Sequence, residues 1–265
     1  MRFNIISRKD PLSEKIKEEL TGKLTRHAWQ LNIDRPTLVI SVGGDGTMLE
    51  AFHRYKHQLS RVAFVGVHTG RLGFYADWRP AELDTLVRFI VEEQREDQYV
   101  SYPLVEVTLI DPQGKEERFL ALNECTVKAT AVPLVMTVVI NGDPFETFRG
   151  DGLCISTPSG STAYNKSLGG AIIHPSLPSI QITEMASINN RVYRTIGSPL
   201  ILPAHHICQL VPQSEAPYQV SVDHLTLPKK EVKSIWLKVA KEKVRFARYR
   251  PFPFWKRVRE SFIDD

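Results

Sequence analysis

The chain has 265 residues, 42% of them hydrophobic and 24% charged, with a net charge of +4; this excludes a disordered or fibrous protein and leaves room for one large domain or two small ones. No apolar run reaches the roughly 18 residues a membrane span needs, and the opening MRFNIISRKDPLSEK has too short an apolar core for a secretory signal, so a cytoplasmic protein with no membrane partner is expected. Cys125, Cys154 and Cys208 are odd in number and lack C-x-x-C spacing, which argues against a disulfide framework or a zinc site and predicts buried thiols.

RFNIIS, at residues 2–7, reads as a short apolar strand. After Pro11, the positions Leu12, Ile16, Leu20 and Leu24 recur every fourth residue and predict the inner face of a helix. TLVISV (37–42) and VAFVGV (62–67) are continuous β-branched runs of the kind covered on both faces in a parallel sheet, each followed by a glycine-bearing loop. Between them TMLEAFHRYK predicts a helix with Leu49, Phe52 and Tyr55 turned inward. PAELDTLVRFIVEE (80–93) predicts another, with Leu83, Leu86, Val87 and Ile90 as its stripe.

From Tyr99 onward the pattern changes to period-two segments: VEVTLI, RFLALNECTV, VMTVVI, HICQLV, YQVSV, SIWLKV and KVRFARY, separated by turns such as DPQG and NGDP. The expected organisation is an α/β domain over residues 1–99, an all-β domain over 100–250, and a closing helix over 251–265 that packs back on one of them. Basic residues crowd the last part of the chain. They alternate with Val, Ile, Trp and Phe as on the solvent faces of strands, so no nucleic-acid partner is expected.

Two stretches carry chemistry. In TLVISVGGDGTMLEAF a strand runs into a glycine-rich turn and then a helix, which brings backbone N–H groups and a positive helix end together, an arrangement that holds phosphate. Neither of the two common phosphate fingerprints fits, and Asp45 is the anomaly: a carboxylate beside phosphate is useful for holding a counter-metal or taking a proton from an acceptor hydroxyl. Alternatively Asp45 simply caps the helix.

The second stretch, FRGDGLCISTPSGSTAYNKSLGGAIIHP, alternates small hydroxyl residues with glycine and offers a slot for a flat polar ligand, or else is a long surface loop. Asn123 and Glu124 sit within an apolar strand, where one of them must have a partner. Asp223 and His224 interrupt another strand, while His53 and His57 read as surface residues.

With GGDGT, NE, GDG and TPSGSTAYNKS in this order, nearly the whole chain resembles the NAD kinase family, closest to its compact bacterial members. The resemblance implies a Rossmann-like N-terminal domain and a C-terminal β-sandwich-like domain. It implies transfer of the ATP γ-phosphate to the 2′-hydroxyl of the adenosine ribose of NAD, giving NADP, with NAD lying between domains and subunits of a homodimer or homotetramer. Asp45 would be the catalytic base, and Gly43, Gly44, Gly46 and Thr47 would border the donor phosphates.

By the same resemblance, Asn123 and Glu124 would meet the adenosine half of NAD, together with Asp45 and Gly46. Ser159, Thr162, Ala163 and Tyr164 would line the adenine slot. Asp151 and Ser167 would meet the nicotinamide half, with Asn165 and Lys166 between them in the NAD-binding segment and Arg149, Ala186 and His224 as further contacts. Mg²⁺ or another divalent ion would arrive with ATP, since no carboxylate cluster looks like a metal cage; polyphosphate stays open as a donor. A lipid kinase would need an apolar acceptor pocket that TPSGSTAYNKS does not provide, and a silent dinucleotide sensor would have no use for Asp45.

Overall fold

Two strands buried at every position, Leu38–Val42 and Ala63–Val67, lie at the centre of the amino-terminal part. In the computed structural model, which describes all residues except 71–72, 93–97, 193, 214–215, 229–230 and 265, the order is β1 (Arg2–Ser7), α1 (Pro11–Arg26), β2 (Gln30–Leu31), β3 (Leu38–Val42), α2 (Asp45–Tyr55), β4 (Ala63–Val67) and α3 (Leu83–Glu92). The strands pair in parallel in the order β2-β1-β3-β4, so the loops after β1, β3 and β4 leave the same edge of the sheet. Ile5, Ile40 and Val65 pack with Ile16, Leu20 and Leu24 of α1 and with Leu86 and Ile90 of α3.

Leu12 departs from its expected inward position. It is 48% exposed, and Ser13 takes the buried place at the start of α1. The reason is the cap: Asp10 accepts from the amides of Leu12 and Ser13, and its second oxygen accepts from the Ser13 hydroxyl. α3 begins later than expected, after a 3-10 turn over Pro80–Glu82. The last residue of the predicted helix, Glu93, lies outside the described residues.

The second half continues with β5 (Tyr99–Ile110), β6 (Glu116–Ala121), β7 (Glu124–Ala129), β8 (Leu134–Ile140), β9 (Asp143–Gly150), β10 (Gly152–Ser156) and α4 (Tyr164–Ser167). It closes with β11 (Ser179–Met185), β12 (Leu200–Pro203), β13 (Ile207–Pro212), β14 (Tyr218–Val222), β15 (Leu225–Thr226), β16 (Ser234–Ala247) and α5 (Phe254–Phe262). One antiparallel sheet runs β12-β11-β10-β7-β14-β15, and the front part of β16 pairs antiparallel with β13, which continues to β8 and β9. Val127, Leu153, Ile180 and Val220 of the first sheet share one apolar core with Met136, Val138, Leu210 and Ile235 of the second.

The expected strand segments form differently at two places in the fold. RFLALNECTV is not one strand: the chain bends at Leu122 and Asn123 between β6 and β7. SIWLKV and KVRFARY are one strand, β16, whose end turns from antiparallel pairing to a parallel match of Arg245 and Phe246 with Ala63 and Phe64 of β4. The chain accordingly separates into Met1–Tyr102 with Lys243–Asp265, and Pro103–Glu242. Residues 243–250 thus group with the α/β unit, as does α5.

Within the first unit, the segment from Gly73 to Glu82 is tied down by arginines from the end of the chain. Arg248 pairs with Asp77, each side chain less than a tenth exposed, and Arg250 donates to the Asp77 carbonyl and to Glu82 Oε1 at 2.7 Å. Replacing Asp77 by alanine strands a buried guanidinium. The expected cost is about 3–5 kcal/mol, read as a lower midpoint in chemical denaturation.

Candidate functional site

In the first unit the site is built around Asp45. The helix cap position is Gly44, which contributes no side-chain bond, and Asp45 is the first residue of α2. The capping role weighed for it from sequence is therefore not the one it plays. Its carboxylate turns to the loop after β4, where Oδ2 accepts from the Phe74 amide at 2.9 Å and Oδ1 from the Tyr75 amide at 3.1 Å. Only a glycine fits beside it, because a Cβ on Gly73 would sit 2.2 Å from Asp45 Oδ1.

Burial pushes the Asp45 carboxyl up from its ordinary value, while the Phe74 and Tyr75 amides and the Arg257 and Arg248 guanidiniums pull it back toward the charged form. The glycines around it divide by role. Gly43 has φ +154°, and a Cβ there would strike Thr47 Oγ1 at 2.2 Å; Gly44 and Gly46 have nothing within 4 Å of where a Cβ would be. Gly43 thus closes the turn and the other two leave open room. Thr47 is buried beneath. The Thr47 amide turns to the Gly44 carbonyl at 3.0 Å, while the amides at the very start of a helix have no intrahelical acceptor, which makes that room suited to anionic oxygens.

In the second unit Asp223 organises the site. It sits at φ +53° between β14 and β15, and its carboxylate accepts from the amides of Leu122 at 2.9 Å, Asn123 at 2.7 Å and Glu124 at 3.2 Å. This bends the chain and turns Asn123 and Glu124 into their buried positions. The Thr157 amide donates to the Asn123 carbonyl at 2.8 Å, and the Thr157 hydroxyl donates to the Leu122 carbonyl at 2.7 Å. Gly160 is packed so closely that a Cβ would lie 2.1 Å from the Asn123 carbonyl oxygen.

The TPSGSTAY segment is accordingly not a surface loop: residues 152–162 are buried. Ser159 and Thr162 lie in a 3-10 turn, Ala163 is half-buried, and Tyr164 opens to solvent at the start of α4. Asn165 is fully buried; its amide donates to the carbonyls of Ser161 and Ala171 and its oxygen accepts from the Thr183 hydroxyl at 2.6 Å, so its bonds brace the segment.

Asp151, Tyr164 and Ala186 border an open cavity of about 500 Å³ with Lys128 and Met185. Lys128 Nζ lies 4.2 Å from the centre of the Tyr164 ring. Lys166 and Ser167 are exposed on α4, His224 is exposed beside Asp223, and Arg149 is half-buried in β9; none of these four borders that cavity. Glu124 is 9% exposed, with Oε2 unpartnered among the described residues. Burial, reinforced by the Asp223 charge, pushes its carboxyl up to about 8.

Sequence reasoning missed Gly73, Phe74 and Tyr75, although the glycine after a buried strand was a usable signal. It missed the role of Asp223, flagged only as a strand interruption, and it missed Arg257, which reads as an ordinary helix residue. Of the two histidines, His57 is exposed and His53 half-buried. All three cysteines are buried and reduced. Among the described residues no group of three or more His, Cys, Asp or Glu could hold a metal ion, and no helix is long and apolar enough to cross a membrane.

Residues 7–95 match the family model described as the ATP-NAD kinase N-terminal domain, and residues 122–248 match the ATP-NAD kinase C-terminal domain. The chain is 61% identical over 264 residues to an NAD kinase of Geobacillus stearothermophilus, covering 99% of this chain and 97% of that one. It is 58% identical over 264 residues to NAD kinase 1 of Bacillus subtilis strain 168, covering 99% and 98%. Among solved structures, yeast NADH kinase complexed with NADH superposes with a TM-score of 0.83 at 17% identity, covering 100% and 89% of the two chains. An NAD kinase from Archaeoglobus fulgidus in complex with ATP gives 0.75 at 20%, covering 98% and 99%. These two likenesses speak to the fold.

Glu124 makes a pH prediction. Its folded value of about 8 lies above the ordinary 4.5, so between those limits the folded chain binds more protons than the unfolded one and stability falls as pH rises. Above about 8 this contribution is flat. Glu124→Gln, which cannot ionise, should remove that part of the fall. Denaturation midpoints measured through this window, wild type against variant, read it directly.

Proposed function

The chain belongs to the NAD kinase family, and from that premise we propose that Asp45 is the base that takes the proton from the acceptor hydroxyl. As an NAD kinase it transfers the γ-phosphate of ATP to the 2′-hydroxyl of the adenosine ribose of NAD, giving NADP. The observation that carries the proposal is the setting of Asp45: a carboxylate held by the amides of Phe74 and Tyr75 at 2.9 and 3.1 Å, beside two glycines that leave space empty.

A ribose hydroxyl is a weak nucleophile. A carboxylate has about four lone-pair sites, and two amides occupy two of them, so Asp45 keeps acceptor capacity for the hydroxyl proton. Burial makes it a stronger base than a free aspartate, and the amides and arginines oppose that rise without cancelling it. The proton passes to a carboxylate oxygen as the ribose oxygen bonds to the γ-phosphorus. The bond from that phosphorus to the β–γ bridging oxygen breaks, and ADP leaves with the electron pair.

Positioning and charge neutralisation carry most of such a transfer. Gly44 and Gly46, at the positive end of α2, suit the donor phosphates, with Gly43 and Thr47 shaping the turn. A divalent ion bound to ATP, Mg²⁺ in the simplest case, would supply charge neutralisation there. Polyphosphate remains a candidate donor by the same chemistry.

For the acceptor, Asn123 and Glu124 offer an amide and a carboxyl fixed by Asp223. Ser159, Thr162, Ala163 and Tyr164 suit a flat adenine; Asp151 and Ala186, on the cavity beside Tyr164, suit further parts of the dinucleotide, with Arg149, Lys166, Ser167 and His224 as outer contacts. A cytoplasmic location and assembly into dimers or tetramers go with the same reading, supported by family membership.

Asp45→Asn keeps the shape and removes the base. Its kcat for NADP formation, followed with an NADP-specific dehydrogenase, should fall about 10²- to 10⁴-fold while NAD binding is retained. A variant that keeps kcat within a few-fold of wild type would show that another group takes the proton.

A further inference from the structure

The carboxyl-terminal helix lies outside every motif that marks the family, yet one of its side chains reaches the peptide that holds Asp45. Arg257, on the first turn of α5, is 8% exposed. Its Nη1 donates to the carbonyl oxygens of Gly73 at 2.6 Å and Ala76 at 3.1 Å, and Nη2 lies 3.5 Å from Asp77 Oδ1. These acceptors bracket Phe74 and Tyr75, the residues whose amides bind Asp45.

The Gly73 carbonyl and the Phe74 N–H belong to one planar peptide group. Arg257 binds the oxygen at one end, and Asp45 Oδ2 accepts from the nitrogen at the other at 2.9 Å. A cation drawing on the carbonyl polarises the whole group and strengthens the donor at its far end. α5 is also fastened to the loop by rings, Phe262 stacking on Phe74 at 5.7 Å and Phe254 meeting it at 6.2 Å.

We propose that Arg257 is a positioning residue for phosphoryl transfer: through the Gly73–Phe74 peptide group it holds the Asp45 carboxylate in place and strengthens the amide that binds it. The inference rests on Asp45 being the base. Neighbouring arginines do other work. Arg248 pairs with Asp77, and Arg250 serves Glu82 and the Asp77 carbonyl. The charged groups that act on Asp45 are Arg257 and, more weakly, Arg248. Arg257 in turn feels Asp77, Arg248, Glu260 and Asp45 itself, and Arg8, on the turn after β1 beside Gly43, has Asp10 as its partner at 4.0 Å.

The test uses the full-length protein, with steady-state NADP formation from NAD and Mg·ATP measured across the acid and neutral range. Arg257→Gln should lower kcat about 10- to 100-fold with KM for both substrates nearly unchanged, as misplacement of a reacting group does. Loss of the cation should also move the acid limb of the kcat profile to higher pH by about half a unit or more. Arg257→Lys, which keeps the charge without the fork, should bring the limb back toward wild type while kcat stays reduced.

Phe262→Ala loosens the same helix without changing charge and should leave the limb in place. Arg257→Met serves as a second neutral replacement if the glutamine variant does not fold. An unmoved limb in both neutral variants, or a limb moved equally by Phe262→Ala, overturns the inference and leaves Arg257 a structural residue. Asp45→Asn assayed alongside separates the two claims: if it retains turnover, the base assignment fails first and the inference with it.

Discussion

The α/β unit turns on a single carboxylate whose two oxygens are gripped by consecutive main-chain amides, those of Phe74 and Tyr75. That grip demands a glycine at position 73, since any side chain there would occupy the space of the carboxylate itself. It also demands that the loop after β4 stay fixed, and backbone bonds from Asp77 and Trp78 to Gly66 begin that task. Gly66, packed so that a Cβ would meet the Tyr75 carbonyl and Ala76 at 2.7 Å, lets the loop lie directly on β4. The arginines and aromatic rings of the last twenty residues then hold it from the other side. Orientation of one acid thus depends on residues spread from the β3–α2 turn to α5.

The β unit solves a similar problem with the roles reversed. There the acid, Asp223, is the clamp, and the clamped main chain presents Asn123 and Glu124. A bend in an otherwise apolar strand would leave three amides without ladder partners, and one carboxylate satisfies them all. Having given its charge to that task, Asp223 leaves Glu124 in a buried, like-charged setting that favours its neutral form. Glu124 can then offer a proton as well as accept one, a property an exposed glutamate near neutrality lacks.

Much of this was readable beforehand wherever the signal was local. The β-branched runs that became β3 and β4, the inward faces of α2 and α3, and the switch to period-two patterning near residue 99 all follow from side-chain periodicity, which burial enforces within one element. The order of GGDGT, NE, GDG and TPSGSTAY was enough to identify the family. Where the periodicity slipped, hydrogen bonding was the cause, local at the start of α1 and long-range elsewhere. Leu12 yielded its place because Asp10 capped α1, RFLALNECTV broke because Asp223 drew its amides aside, and SIWLKV joined KVRFARY because β16 changes partners along its length.

The amino-acid order alone established the fold class, the family and Asp45 as the residue to watch, because each is encoded in neighbouring side chains and their spacing. It could not establish what holds Asp45, why residue 73 must be glycine, or that Asn165 divides its hydrogen bonds between its own segment and Thr183 of β11. Nor could it connect Arg257 to Gly73, 184 residues earlier. Those relations are distances between groups far apart along the chain, and they exist only once packing has brought the groups into contact.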